Sequence, residues 1–367
     1  MNSKKTALVL SGGGSRGAYQ AGALKGLAKI CEDCQQKLPM DILSGASAGA
    51  INASFLASYI HEDTKAADKL CELWTQLSTS DIFEMRTFSI TKRALKLARG
   101  VSLGGLDDYF RSGPFSLLDT NPLRELINKK IDFSQLKKNI EDNKISALAI
   151  TATDYSTSKG ITFVHSHKPQ TMWASAYRKS VMDVISADHI MASSAIPFFF
   201  MPSKVDDVYY GDGCLRNTAP LSPSINLGAD KLFVIGVRND NDFNEKNKME
   251  PTLARVMSVV TNAVFLDAIE SDIERLHLFN NSRSDVLRHI DSFYLCPSED
   301  LALIAKENME SLPKLFKFLI RGLGSDEESA ELVSYLIFER SYTEKLVELG
   351  YKDVLARRYE ILDFFSH

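Results

Sequence analysis

A serine set in small residues, Gly45-Ala46-Ser47-Ala48-Gly49, is the first place in this 367-residue chain where residue types and spacing could do chemistry. The string is G-x-S-x-G. It lies between a strand-like run, Asp41–Ser44, and a helix-like run, Ala48–Tyr59. A serine on so sharp a strand-to-helix turn forces its neighbours together, and all four neighbours here are Gly or Ala. The turn would present the hydroxyl at a helix N-terminus, where the dipole and free N–H groups favour negative charge. That suits a nucleophile in acyl transfer. A tightly packed helix start of small residues would carry the same string, so the residues around it must decide.

A second candidate is Ser11-Gly12-Gly13-Gly14-Ser15-Arg16-Gly17, after an apolar run at Thr6–Leu10. Three consecutive glycines let backbone N–H groups converge on one small volume. Such a loop can hold the oxyanion of a tetrahedral intermediate. Arg16 would either brace the loop or attract a phosphate head group. Gly12, Gly14 and Gly17 also satisfy G-x-G-x-x-G, the dinucleotide fingerprint. That fingerprint wants an acidic residue at the end of the next strand. Here the next strand runs into the serine turn instead, which makes the dinucleotide reading the weaker one.

A serine nucleophile needs a base. Asp212 stands in Tyr210-Gly211-Asp212-Gly213-Cys214 after another strand-like run, Val208–Tyr210. Glycine on both sides suggests an acid held on a tight turn, although ordinary Asp-Gly turns are common. Of the seven histidines, His189 is nearest to these motifs in sequence. It falls in a helix-like stretch, Val184–Met191, where a structural role is the more usual one. A triad is in any case defined by geometry.

The elements that must carry these residues read as β-α-β-α from Thr6. A helix after the glycine loop has Ala21, Leu24, Ala28 and Cys31 on one face. Helices follow at Ala48–Tyr59, Ala66–Leu77 and Asn121–Ile131, and strands at Ser146–Thr153, Ile161–Val164, Val208–Tyr210 and Leu232–Val237. This rhythm predicts a parallel sheet covered by helices on both faces. Residues 78–113 break it and read as an insertion or lid. The region 251–367 reads as nearly all helical, with helices expected around Leu315–Leu323 and Glu331–Leu349. The expected division is a hydrolase domain over 6–238 and a helical C-terminal region over 251–367.

Composition limits the partners. Hydrophobic residues make up 44% and charged residues 25%, and the net charge is -4. That balance argues against nucleic acid, which calls for a basic excess. Five cysteines and a lone Cys31-x-x-Cys34 complete no zinc pattern, and a reducing, cytoplasmic setting is expected. No signal peptide or membrane-spanning run stands out. In the insertion, Ile90, Ala94, Leu97 and Val101 share one helical face and Lys92, Lys96 and Arg99 another, with Arg93 beside them. That pattern fits peripheral contact with an anionic membrane, and equally a solvated helix on the core. Lys314–Arg321 repeats the pattern more crudely and reads as packing. Phe198–Met201 could line an acyl pocket or be plain core.

Together and in this order, the glycine loop, the serine turn and Asp212–Cys214 resemble the patatin-like phospholipases. So does the approach to the aspartate, Ala192–Phe200 (ASSAIPFFF). The resemblance spans roughly Thr6–Val237. It implies a three-layer α/β/α fold with a helical C-terminal extension. It implies Ser47 as nucleophile and Asp212 as base in a dyad, and an oxyanion loop of Gly12, Gly13 and Gly14 steadied by Arg16. Gly17, Gly45, Gly49 and Gly213 complete the motifs. Cys214 departs from the Ala or Gly usual at its position and leaves a redox-sensitive site open. The implied activity is hydrolysis of phospholipid or lysophospholipid acyl esters, with no metal or cofactor. A nonspecific carboxylesterase or triacylglycerol lipase, a nucleotide-binding oxidoreductase and a catalytically inert lipid-binding protein remain as alternatives. Head group, chain length and oligomeric state are not specified.

Overall fold

Alternate residues of the first strand enter two different cores, and this places the strand at the centre of three layers. Leu8 and Leu10 pack with Leu24 and Leu27 on one side. Ala7 and Val9 pack with Ile269, Ile273 and Leu276 on the other. Period-2 side-chain alternation in a strand buried on both faces demands apolar residues throughout, and Thr6–Leu10 is buried along its whole length. The computed structural model describes residues 4–84, 116, 118–239, 253–282, 288–309, 317 and 326–366.

The described strands form one mixed sheet. They are β1 (Thr6–Leu10), β2 (Ile42–Ala46), β3 (Ala147–Asp154), β4 (Lys159–Ser166), β5 (Arg178–Met182), β6 (Ser203–Val205), β7 (Val208–Gly211), β8 (Lys231–Ile235) and β9 (Asp291–Leu295). The order is β5-β4-β3-β2-β1-β8-β9, with β7 pairing to both β3 and β6. From β3 to β9 the pairings are parallel, while β4 and β7 run antiparallel to β3. The expected parallel sheet is therefore its central part, and it acquires an antiparallel flank. Strand order changes direction at β1. The carboxyl ends at such a switch point are where open α/β sheets place ligands, and both the glycine loop and the serine turn leave from there.

The longer helices are α1 (Gly17–Asp33), α2 (Ala48–Tyr59), α3 (Lys65–Thr75), α4 (Asn121–Lys130), α5 (Phe133–Glu141), α6 (Leu253–Phe265), α7 (Asp267–Asn281), α8 (Leu301–Asn308), α9 (Asp326–Val333), α10 (Arg340–Ala356) and α11 (Arg358–Ser366). Ala21, Leu24, Ala28 and Cys31 of α1 are buried, as their spacing predicts. α1 and α10 meet almost backbone to backbone. A Cβ on Gly22 would collide with the Val347 carbonyl, and one on Gly350 with the Tyr19 carbonyl. The Tyr19 hydroxyl donates to Asp353 across the same contact at 3.0 Å.

The C-terminal region is helical, with one strand that the sequence did not suggest: β9 extends the sheet beside β8. The single helix expected over Glu331–Leu349 is two, because the chain leaves helical geometry between α9 and α10. The amphipathic stretch Ile90–Val101, most of the 78–113 insertion and most of Leu315–Leu323 and Lys314–Arg321 lie outside the described residues, as does the interval at the expected domain boundary. No helix among the described residues is long and apolar enough to cross a membrane.

Candidate active site

Ser47 sits at the junction of β2 and α2 with φ 54° and ψ −125°, a left-handed conformation that a serine adopts only where its surroundings impose it. The small flanks explain how. A Cβ on Gly45 would collide with the Gly49 carbonyl, and one on Gly49 with the Leu10 carbonyl. Any larger residue at either place would open the corner. As the cap of α2, Ser47 stands where the first helical N–H groups lack intrahelical partners. The residue is 1% exposed.

Three consecutive residues at the end of the short helix Ala187–Ser193 hold this corner against the aspartate. The Ser47 N–H donates to Ser193 Oγ at 3.0 Å, and the Ser193 hydroxyl donates to the Thr151 carbonyl at 2.6 Å. The Ser194 hydroxyl donates to the Ser47 carbonyl at 3.3 Å. The Ala195 carbonyl accepts the Asp212 N–H at 2.9 Å. Sequence reasoning noticed this stretch only as an approach to the aspartate. Its signal was a serine pair inside an otherwise apolar run.

Asp212 is fully buried. Its Oδ1 accepts the Cys214 N–H at 2.9 Å, while Oδ2 is buried without a hydrogen-bond partner among the described residues. Burial pushes its carboxyl up to about 6, against the smaller opposing influence of the Ser47 hydroxyl and the Cys214 N–H and thiol. Those groups are near enough to favour the charge, yet the Ser47 hydroxyl closes no hydrogen bond of ordinary geometry with Oδ2. A buried carboxylate oxygen left open in this way calls for an explanation. Burial, and then Asp212 beside it, push the Cys214 thiol well above its usual range and keep it neutral.

The glycine loop closes over both. A Cβ on Gly12 would collide with Cys214 Sγ and come within 3.0 Å of Ser47 Cβ. One position therefore touches all three motifs. Gly13 and Gly14 have φ of 156° and 57°. Among the described residues their N–H groups have no hydrogen-bond partner, whereas the flanking Ser11 and Ser15 N–H groups go to the Ile235 and Tyr335 carbonyls. The Gly12 N–H donates to no oxygen among the described residues either and faces the Cys214 sulfur, so the unengaged donors lie along all three glycines.

Arg16 is 2% exposed and fully engaged. Its Nε and Nη2 donate to Ser334 Oγ at 2.9 and 2.6 Å, and Nη2 to Glu331 at 2.6 Å. The guanidinium stacks on Tyr335 at 4.4 Å. Such a side chain braces the loop; the phosphate role considered for it is not met, because a head group cannot reach it. Ser15 adds a bond from its hydroxyl to the Ser334 carbonyl at 2.8 Å. Residues 331–335, which sequence reasoning missed, therefore grip the loop from the far end of the chain. Local sequence held no sign of it.

His189 is placed elsewhere. Its Nδ1 faces the Ser186 N–H and hydroxyl at 3.1 and 3.0 Å, its Nε2 faces Asp183 at 3.3 Å, and its ring packs edge-on against Phe163. No histidine hydrogen-bonds to Ser47 or Asp212 among the described residues.

A narrow apolar pocket with a void of about 30 Å³ begins at Ser47 and Gly14 and is walled by Ile51, Trp74, Leu126, Phe200 and Phe338. Phe200 of the expected Phe198–Met201 run is thus a cavity wall as well as core.

With serine corner, buried acid and glycine loop brought to one point, the comparison with known families is decisive. A family model for patatin-like phospholipase matches residues 8–225. The chain belongs to the patatin-like phospholipase family. No curated protein matches it. A solved structure, VipD from Legionella pneumophila, aligns over 97% of this chain and 67% of its own, at 14% identity and a TM-score of 0.38. The patatin-like match ends at residue 225, so the residues that grip the glycine loop from 331–335 lie beyond it.

Proposed function

We propose that this patatin-like protein is a serine lipid acyl hydrolase working through a Ser47–Asp212 dyad. The observation that carries the reading is the packing at Gly12, which touches Ser47 on one side and the Asp212–Cys214 turn on the other. Asp212, ionised, takes the Ser47 proton as Oγ attacks the ester carbonyl carbon. The Gly13 and Gly14 N–H groups receive the oxyanion. Collapse breaks the ester C–O bond, and Asp212 returns the proton to the departing alcohol. Water, deprotonated by Asp212, then attacks the acyl-serine; the fatty acid leaves and Ser47 regains its proton.

A buried carboxyl raised to about 6 is a better base than a free one and is still ionised at neutral pH. The unpaired Oδ2 supplies the acceptor this step requires. The apolar cavity at Ser47 suits a fatty acyl chain, with phospholipid and lysophospholipid as the substrate classes. Against a dinucleotide, β2 ends at Ala46 and turns at Ser47 with no acidic residue there, and the Tyr335 carbonyl lies where a side chain on Gly14 would go. The setting that goes with this reading is cytoplasmic, in peripheral contact with an anionic membrane.

A fluorophosphonate probe and a soluble ester test the reading together. Ser47→Ala should abolish both labelling and turnover and leave the fold intact. Labelling that survives in Ser47→Ala would move the nucleophile elsewhere.

A further inference from the structure

Two apolar cavities share a wall, and one of them reaches Ser47. The first opens at the serine, as described. The second, an open slot with a void of about 80 Å³, lies among Phe198, Leu215, Val260, Val264, Leu332 and Leu336. Ile196 lines both. Two chain segments straddle the divide. In Ile196–Phe200, Phe198 and Phe199 line the second cavity and Phe200 the first. In Leu332–Phe338, Tyr335 and Leu336 line the second and Phe338 the first.

The same two segments run directly into the site. Ala195, next to the shared Ile196, accepts the Asp212 N–H, and Tyr335 accepts the Ser15 N–H of the glycine loop. Leu215 follows Cys214 on the aspartate turn. A lipid whose scissile chain lies in the first cavity therefore finds a second apolar slot one side chain away. Its walls are apolar apart from Thr261 and Tyr335, and the Tyr335 hydroxyl is committed to Asn262 at 2.9 Å. A polar ligand would lose its hydrogen bonds to water there, whereas a hydrocarbon chain would not. Phe198 and Val260 at the rim are 63% and 53% exposed, which leaves apolar surface for such a chain to cover.

We propose that the second cavity takes the second acyl chain of a diacyl glycerolipid, so that the protein selects diacyl over monoacyl (lyso) substrates. The inference rests on the acyl-hydrolase reading above. A chain held away from the reacting ester contributes binding energy that positions the ester at Ser47, so its loss lowers turnover as well as binding.

The test compares diacyl and lyso lipids with the same head group and the same scissile chain, in the same neutral mixed micelles. Wild-type kcat/KM should be about tenfold or more higher for the diacyl lipid. Val264→Trp fills the cavity and Val260→Asp charges its rim. Each should bring diacyl turnover down towards the lyso value and leave lyso turnover unchanged, so that lyso turnover reports the integrity of the fold. Equal kcat/KM for the two lipids in the wild type overturns the proposal and leaves the hydrolase reading standing. So does a proportional fall on both lipids in the two variants. No turnover of either lipid by the wild type overturns the hydrolase reading and this proposal with it.

Discussion

The Asp212 carboxyl holds its proton up to about pH 6 in the folded protein, against 3.8 ordinarily, because burial disfavours its charge. In the proposed role of base it would work only when ionised. Turnover of a soluble ester at limiting substrate should therefore fall about tenfold per pH unit below 6 and level off above it. A midpoint near 4 would remove Asp212 as the titrating group. The same shift acts on stability in the other direction. A pKa raised by folding costs nothing below pH 3.8, where both states are protonated, and costs most above pH 6, where the folded state buries a charge. Two units correspond to about 3 kcal/mol as an upper figure. Asp212→Asn should thus abolish turnover yet stabilise the fold near neutral pH by up to about 3 kcal/mol, with the gain vanishing at about pH 4. Urea unfolding at the two pH values reads this. An Asn variant equally stable at both would contradict the burial argument. His189→Ala is the contrasting change. The imidazole, kept neutral by burial, caps a helix away from Ser47 and Asp212. Its loss should cost about 1–3 kcal/mol in thermal unfolding and leave turnover per folded molecule near the wild-type value. A collapse of turnover with the fold intact would restore a triad.

At the scale of elements, the strand-turn-helix corner is only as rigid as the bonds behind it. Ser193→Ala leaves the Ser47 N–H and the Thr151 carbonyl without that hydroxyl, a loss of about 1–3 kcal/mol. Both stability and the rate of probe labelling at Ser47 should fall. Labelling at the wild-type rate would show the corner to be self-supporting. β1, β2, α2 and the two glycine-flanked turns were legible in sequence because local rules fix them: unbroken apolar runs buried on both faces, and small residues where backbones touch. β5 and β9 were not. Each is five residues long and only partly buried, with Arg178 and Lys179 in one and Asp291 and Ser292 in the other, so neither shows a clean alternation. The break between α9 and α10 fails for another reason. Glu331–Leu349 carries a continuous helical pattern, but Ser334 and Tyr335 are recruited by Ser15 and Arg16, and long-range bonds override local preference. The acid and the serine could be named from sequence, whereas Ser193 to Ala195, which join them, could only be seen in three dimensions.

Across the whole molecule, the glycine loop near the start of the chain is completed by a segment more than three hundred residues later. Arg16→Lys cannot reproduce a stacked guanidinium with three bonds to Ser334 and Glu331, and it should lower kcat far more than it changes KM. Ser334→Ala should act in the same sense but more weakly, costing about 1–3 kcal/mol of stability. A variant that changed KM alone would show that the grip serves substrate binding rather than the loop. The separation also sets an order of events during synthesis. At about 5–20 residues per second, the ribosome needs on the order of 15–60 s between making Gly14 and making Ser334. For the last part of that interval, once Asp212 has been made, the serine corner and its acid can be in place while the glycine loop lacks its counterpart. A nascent or prematurely terminated chain would then be inert toward lipid, and hydrolytic competence would arrive in one step near the end of translation.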